Sequence, residues 1–398
     1  MPFSVSSSII SLLTTIQILS ADQTGLEGQN SSSSIRACEE IYSILPDRTF
    51  RGKDAKKNLW SLFQSQVIPR CRVQPTSTPE ISDIITVLRK ENCKFAVLGG
   101  GTSPFLEASN VRDGVTVDLG RMNKVEFVQG DTPTLNVGGG AIWADVYREL
   151  DPRNLSAVGT RNSLTGVVGS ILGGGISFFS HSRGWICDNV LEFEVVLANS
   201  SAIRASQTSN TDLFWALRGG GPNFGIVTSV TLEVFSRGLS SHIFQRWNMV
   251  DMQVAFQRLD RFSHQMPPGI QMIATNLGWS AARREFVLSD RIVALAADIP
   301  EISRLPSDEN PTQQKVIRPI IEYAYRRTTL QMAEVMDVVN EFGFYNIFGS
   351  ITVQGNPQVH MKTAEIFQEE ASKIRGVKGI KVLLVYNPLT TATIKKMQ

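Results

Sequence analysis

Glycines follow the apolar strands of this sequence, and a glycine turn at a strand end can bind an anion. The first cluster, GGGTS at residues 99–103, comes directly after the aliphatic run at 94–98. Residues without a Cβ atom let backbone N–H groups approach a phosphate closely. Taken alone, this cluster is explained equally well by a tight turn without a ligand.

Three more glycine clusters lie at 138–140, 159–175 and 218–225. Four clusters so close together are unusual for independent turns. They indicate one extended ligand that crosses several loops, as a dinucleotide would. Two familiar nucleotide motifs are excluded, because Pro104 stands where G-x-G-x-x-G needs its third glycine and no Gly-Lys-Ser/Thr follows.

The elements around the first cluster are those of an α/β unit, in which ligands bind at the carboxyl ends of strands. A helix is predicted from Thr78, because Pro79 suits a first turn and Ile81, Ile84 and Leu88 share one face. The other predicted elements are strands at 70–75, 94–98, 115–119, 134–137, 226–234, 241–247, 270–275 and 347–353, and helices at 141–150 and 212–217.

Composition limits the class of protein. Of 398 residues, 39 are Lys or Arg and 37 are Asp or Glu, and this net charge of +2 does not indicate a nucleic-acid-binding surface. Hydrophobic residues make up 42%, enough for a sizeable core, and no apolar run reaches the roughly 18 residues of a membrane span. Four cysteines indicate neither a disulfide scaffold nor a metal site. We expect a globular protein without nucleic-acid, membrane or metal partners, of open oligomeric state.

The N-terminal region suggests secretion. Residues 9–19 are apolar over about the length of a signal-peptide core, although no Lys or Arg precedes them. We interpret residues 1–21 as a candidate signal peptide and 22–37 as a polar linker; a disordered, Ser-rich start is the alternative. Asn30, Asn154 and Asn199 begin N-x-S/T sequons. The prediction is a glycoprotein of the secretory pathway.

Four segments, in order, carry a resemblance to a known family: FAVLGGGTSPF, VGGGAIWADVY, LGGGISFFSHSRGWICDNVLEFEVVLA and FWALRGGGPNFGIVTSVTLEVF. They resemble the FAD-binding domain of the vanillyl-alcohol oxidase and p-cresol methylhydroxylase superfamily, and within it the fungal berberine-bridge-enzyme-like FAD-linked oxidoreductases. The resemblance implies an α+β fold, with a two-subdomain FAD-binding domain at 38–237 (core about 67–237). An antiparallel-sheet substrate domain with flanking helices would follow at 238–398.

The resemblance also implies which residues contact FAD. The first loop would surround the pyrophosphate, the third cluster would lie beside the ribityl chain and flavin ring, and the strand after the fourth cluster would contact the adenosine. The residues carried over are Val97, Leu98, Gly99, Gly100, Gly101, Thr102, Ser103, Gly159, Thr160, Gly166, Gly169, Gly173, Gly174, Gly175, Asp188, Val190, Gly225, Ile226 and Val227.

Two departures from the family bear on how FAD is held. Many relatives attach the flavin to a His after the first glycines, and some also to a Cys, but these positions hold Thr102 and Asn162. Neither a hydroxyl nor an amide is the nucleophile of those linkages, so we predict noncovalent FAD. His181, between two cofactor segments, is either a flavin-edge residue or a polar loop residue.

The cysteines are predicted to differ in role. Relatives with cysteines at the places of Cys38 and Cys71 form a disulfide there, so the resemblance implies this pair. Cys93 and Cys187 lie beside apolar strands and are expected to be buried thiols.

The C-terminal half leaves the catalytic residue unknown. In relatives a further segment follows the substrate domain, whereas this sequence ends at Gln398, so we expect a truncated substrate domain and weaker FAD retention. Several residues could titrate usefully, but each alone is better explained by packing or surface exposure. They are Tyr323, Tyr325, Tyr345, Tyr386 and His360.

The function implied is that of an FAD-dependent oxidoreductase acting on a small organic, secondary-metabolite-like molecule. Hydride would pass from the substrate to the flavin, and dioxygen would accept the electrons. Two alternatives stay open: a flavin-holding cyclase or isomerase without net oxidation, and an inactive remnant of an oxidase.

Overall fold

The computed structural model describes residues 9–18, 32–267, 269–295, 319–337 and 341–396. The strands are β1 (Ile9–Ile18), β2 (Thr49–Arg51), β3 (Cys71–Val73), β4 (Phe95–Leu98), β5 (Val115–Asp118), β6 (Val125–Val128), β7 (Thr134–Gly138), β8 (Leu155–Ser156), β9 (Val190–Val196), β10 (Ala202–Ser206), β11 (Ile226–Glu233), β12 (Phe235–Ser236), β13 (Ser240–Trp247), β14 (Ile270–Ser280), β15 (Glu285–Ala294), β16 (Ile321–Arg327), β17 (Tyr345–Gln354) and β18 (Lys381–Leu389). The α-helices are α1 (Ser32–Ile44), α2 (Leu62–Ser65), α3 (Thr78–Lys90), α4 (Trp143–Leu150), α5 (Val167–Leu172), α6 (Ser180–Arg183), α7 (Thr211–Leu217), α8 (Met252–His264), α9 (Thr329–Asp337), α10 (Pro357–Ile374) and α11 (Thr391–Lys395).

A four-stranded sheet carries the first glycine loop. Its order is β2-β3-β5-β4, with β3, β5 and β4 parallel and β2 antiparallel. The helix α3 begins at Thr78 as predicted and buries Ile81, Ile84 and Leu88 against this sheet, together with α1. The loop at 99–103 therefore leaves the carboxyl end of β4, a parallel edge strand whose Ala96 and Leu98 are buried.

The segment before this sheet is more ordered than the sequence indicated. The linker predicted at 22–37 is wrong over its last six residues, because α1 begins at Ser32. Ala37, Cys38 and Ile41 lie on one face of α1 and are buried in the core beneath α3, which stabilises the helix. A Cys38–Cys71 disulfide joins α1 to β3, the pair that the resemblance implied. Cys93 and Cys187 are buried free thiols.

A second, five-stranded antiparallel sheet has the order β10-β9-β11-β7-β6. The helices α4, α5 and α7 cover it with a core that includes Trp143, Tyr147 and Phe193. Val196 of β9 and Ile226 of β11 are buried in the same core as α3 and the first sheet, so the two sheets pack against a shared core.

A third, seven-stranded antiparallel sheet follows, in the order β16-β13-β15-β14-β18-β1-β17. The helices α8 and α10 cover one face, where Phe256, Leu259 and Tyr386 are buried. The strand predicted at 270–275 extends to Ser280, because β14 and β15 pair as a long hairpin. The α+β fold with an antiparallel-sheet second unit and flanking helices is confirmed.

The apolar N-terminal segment is part of this third sheet. Residues 9–18, the core of the candidate signal peptide, form β1 and pair with β17 on one side and β18 on the other. The rest of that candidate peptide, residues 22–31 of the predicted linker and Asn30 lie outside the described residues. Within the described ranges, no helix is long and apolar enough to cross a bilayer.

Candidate functional site

The first glycine loop packs against a second glycine segment. A Cβ atom on Gly100 would lie 2.4 Å from the backbone N of Gly166. The two backbone segments therefore come as close together as only glycines allow. Gly101 has a φ of +69°, a left-handed conformation that disfavours other residues. Within the described chain, the amide N–H groups of residues 100–103 donate no hydrogen bond to the protein. These donors are therefore available to an anion.

A cavity of about 820 Å³ lies between this loop and the start of β11. The end of β9 forms another wall of this cavity. Gly225, at the start of β11, has a φ of +146°, and a Cβ atom placed on it would lie 2.6 Å from the Val196 carbonyl oxygen. None of the described residues that line this first cavity carries an ionisable side chain. An anionic group bound here would be held by backbone amides and by hydroxyls such as those of Thr102 and Ser103.

The first cavity has the dimensions and chemistry that FAD needs. Its volume is in the range of known ligand and cofactor sites, its walls are mostly apolar, and its unpaired amides lie on one loop. The predicted contact residues that line it are Val97, Gly99, Gly100, Gly101, Thr102, Ser103, Gly166, Gly169, Gly173, Gly225, Ile226 and Val227.

The other predicted contact residues lie outside this cavity. Leu98 and Val190 are buried strand residues. At Gly159 a Cβ would lie 2.2 Å from the Trp143 ring, so this glycine is needed for packing against α4. The Thr160 carbonyl accepts a 2.7 Å hydrogen bond from Tyr147 Oη.

Gly174, Gly175 and Asp188 hold a turn together. Both glycines have positive φ, and their carbonyls accept from the amides of Cys187 and Ile186. Asp188 accepts from the Trp185 amide at 2.8 Å, and it borders a separate cleft of about 970 Å³. Burial raises the pKa of Asp188.

Several lining residues had not been predicted as contacts. Residues 139 and 221–224 belong to glycine clusters that the sequence showed, so their position at loop ends could have identified them. Thr165 and residues 196–198 at the end of β9 could have been found from the rule that ligands meet strand ends. Phe348 of β17 gave no such signal.

A second cavity, of about 740 Å³, lies over the face of the seven-stranded sheet that α8 and α10 do not cover. Phe348 lines both cavities, so they are neighbours. Aromatic residues in the second cavity include Phe244 and Tyr323, which stack with ring centroids 6.4 Å apart.

Of the five titratable candidates in the C-terminal half, Tyr323 alone is among the residues lining the second cavity. His360 is buried on the opposite face between Phe256 and Tyr386, and burial lowers its pKa to about 4. The Tyr386 hydroxyl donates to the His360 carbonyl, and burial raises its pKa. These two groups are packed in the core rather than placed for proton transfer.

The remaining titratable candidates are not among the residues that line either cavity. Tyr345 accepts a hydrogen bond from Gln66, and Tyr325 is half exposed. His181 shares a 2.8 Å hydrogen bond with Thr390, and burial lowers its pKa. Its side chain does not line the first cavity, which favours the polar loop interpretation.

Comparison with known proteins agrees with this geometry. Residues 69–206 match a family described as an FAD binding domain. In fold, the chain is similar to 6-hydroxy-D-nicotine oxidase of Arthrobacter nicotinovorans (TM-score 0.63, 19% identity, 94% of this chain and 83% of that one). It is also similar to glucooligosaccharide oxidase of Acremonium strictum (TM-score 0.56, 24% identity, 65% and 55%), whose FAD is 6-S-cysteinyl, 8α-N1-histidyl. Residues 69–206 thus match an FAD binding domain, and the chain shares the fold of these oxidases.

Relatives in sequence are fungal flavoproteins. FAD-dependent monooxygenase tpcD of Cochliobolus heterostrophus is 44% identical over 187 residues, 47% of this chain and 36% of that protein. FAD-dependent monooxygenase FUP4 of Fusarium proliferatum is 29% identical over 355 residues, 85% of this chain and 66% of that protein. The chain therefore spans about a third to two thirds of the length of these relatives.

Proposed function

We propose that this protein is an FAD-dependent oxidoreductase that oxidises a small organic substrate, with dioxygen as the electron acceptor. The observation that carries the proposal is the pair of adjoining cavities that share Phe348. The first has free amides and apolar walls suited to FAD, and the second is open to a separate molecule. Relatives named as FAD-dependent monooxygenases support the same class of chemistry.

When bound, FAD supplies the acceptor for a hydride from the substrate and passes electrons on to dioxygen. The protein's part is binding and orientation. Residues 99–103 would hold the anionic part of the cofactor through their amides, and Ile226 and Val227 of β11 would pack on it. Thr102 and Asn162 offer no nucleophile for attachment, so we propose that the cofactor is held noncovalently.

Dioxygen could react in two ways, as in an oxidase or as in a monooxygenase, and one experiment distinguishes them. An oxidase releases one hydrogen peroxide per product, whereas a monooxygenase, as the relatives are named, inserts one oxygen atom into the product. Reaction under ¹⁸O₂ with mass analysis of the product and a peroxide assay would assign the form. We expect hydrogen peroxide to form and the organic product to carry no ¹⁸O.

The full chain, reconstituted with FAD, should show the visible flavin band, and a substrate should bleach it under anaerobic conditions. Gly100→Ala should abolish flavin retention, because its Cβ would overlap Gly166. Gly376→Ala is the control, since a Cβ there meets nothing within 4 Å and the residue is not among those lining either cavity. Equal flavin retention in the two variants, or no flavin in the parent, would contradict the proposal.

A further inference from the structure

The second cavity is lined by cations. Its ionisable residues, apart from Tyr323, are Arg161, Arg246, Arg283, Arg291 and Lys381. No carboxylate is among its described lining residues. Lys381 forms an ion pair with Glu341 at 2.7 Å, and Arg283 is exposed to solvent. The cations inside the cavity that could bind a ligand are therefore Arg161, Arg246 and Arg291.

The pleat of the sheet places two of these arginines on the cavity face. In the β13–β15 register, Phe244 lies opposite Arg291, and Arg246 lies opposite Ser289. The neighbouring pair, Ile243 and Ile292, is buried on the other face against α8. Alternation along a strand thus directs both guanidinium groups into the cavity.

Carboxylates on the neighbouring strands are used elsewhere. Asp290 is buried and accepts from Arg258 at 3.1 Å and from Trp247 at 2.8 Å. Glu322 accepts from Gln245 at 2.8 Å. These partners lie on the face of the sheet that points away from the cavity.

The three arginines have no anionic partner within the described chain. Arg161 is partly buried and donates to the neutral Asn387 Oδ1 at 2.6 Å. Burial, and secondarily the charge of Arg291, lowers the pKa of Arg161 to about 10, which leaves it charged at neutral pH. Two further donors, Arg246 Nε and Asn162 Nδ2, are buried without an acceptor among the described residues. Unpaired buried donors are costly unless a ligand satisfies them.

We propose, on the basis of the proposed function, that the second cavity selects an aromatic substrate that carries a carboxylate. The planar guanidinium groups of Arg161, Arg246 and Arg291 match the two oxygens of a carboxylate. Phe244, Tyr323 and Phe348 supply aromatic surface for a ring, and Phe348 directs that ring toward the first cavity.

The test uses 2-naphthoate and its neutral counterpart 2-naphthamide as probes of binding, without turnover. Titration calorimetry on the full, FAD-reconstituted chain should give at least about tenfold tighter binding for naphthoate, with an affinity that falls as salt rises. Equal affinities for the two probes would overturn the proposal.

Variants locate the binding. Arg161→Gln and Arg291→Gln should each weaken naphthoate at least about tenfold and leave naphthamide unchanged. Arg326→Gln, on exposed β16 and outside the cavity, is the control for charge alone. Because Arg291→Gln removes a cation without an anionic partner among the described residues, its thermal midpoint without ligand should equal or exceed that of the parent. Loss of naphthoate binding in Arg326→Gln to the same degree would contradict the assignment.

The outcomes separate this inference from the proposed function. One outcome is that naphthoate binds selectively but no substrate reduces the bound flavin. This outcome would support the cavity assignment and refute the oxidoreductase activity. Flavin reduction by neutral substrates together with no preference for naphthoate would do the reverse.

Discussion

Thr102 lines the first cavity directly after the loop glycines, at the position where the family resemblance would place a flavin-attached histidine. A threonine hydroxyl is a poor nucleophile without an activating base. No His, Cys or Tyr is among the described residues that line this cavity. At the scale of single residues, these observations support the proposal that the cofactor is held only by contacts.

Acid precipitation of the reconstituted protein should release all yellow colour into the supernatant, because no His, Cys or Tyr is found among the described side chains that line the first cavity. A denaturing gel should show no fluorescent protein band. Thr102→His is the matched variant, and a band confined to it would show that the loop brings the flavin within bonding distance. A fluorescent band in the parent protein would refute noncovalent binding.

At the scale of elements, the end of β5 ties three segments together. The Asp118 carboxylate is buried and accepts from Lys57 Nζ at 2.8 Å, from Arg72 Nη1 at 2.9 Å and from Gln74 Nε2 at 2.9 Å. Burial alone would raise the pKa of Asp118, but Lys57 and the hydrogen bonds lower it overall. The network fixes the first sheet from which the glycine loop leaves.

Asp118→Asn should lower the free energy of unfolding by about 3 kcal/mol at neutral pH, because Arg72 is left with an uncompensated buried charge. Since the pKa of Asp118 is lowered in the folded state, its contribution is complete above the unfolded pKa and is lost as pH falls through the folded pKa. The difference between parent and variant in urea unfolding should therefore shrink on acidification.

Asp113→Asn is the control for this measurement. Its carboxylate pairs with Arg70 at 3.4 Å at a partly exposed site, so we expect a loss of only about 0.5 kcal/mol. An equal loss in the two variants would show that the Asp118 network contributes no more to the free energy of unfolding than a partly exposed ion pair does.

The whole molecule depends on the pairing of its two ends. β1, from the first residues of the chain, lies between β17 and β18 from the last third. Secretion with cleavage after residue 21, as the sequence suggested, would remove this strand. Residues 9–18 cannot be both a strand of the mature sheet and part of a cleaved signal peptide. One deletion distinguishes the two roles.

Removal of residues 1–21 should lower the thermal midpoint and cause concentration-dependent association, because β17 and β18 would each expose an unpaired edge. Light scattering and thermal unfolding measure both effects. Removal of residues 1–8 alone leaves β1 in place and should change neither. If the longer deletion is as stable and as monomeric as the parent, β1 is dispensable, which is what a signal peptide requires.

Much of the fold was predictable because its signals are local. The apolar spacing of Ile81, Ile84 and Leu88 indicates a helix wherever it occurs, and the GGGTS loop follows an aliphatic run as a strand-end turn does. The four glycine-containing segments, in order, were enough to indicate the FAD-binding domain. The start of α1 was missed because its polar first turn carries no helical periodicity. The helix is stabilised by burial of Ala37 and Ile41 and by the Cys38–Cys71 disulfide.

The sequence by itself determined where the backbone must be free of side chains; the tertiary structure alone decided what each such position faces. Gly100 and Gly159 look alike along the chain, yet one lies against Gly166 at the cavity wall and the other against the Trp143 ring. Arg161, Arg246 and Arg291 are scattered charges in the sequence and become one cationic cavity through strand register. Backbone conformation is set by neighbours in sequence, whereas burial and charge clustering depend on residues brought together from distant parts of the chain.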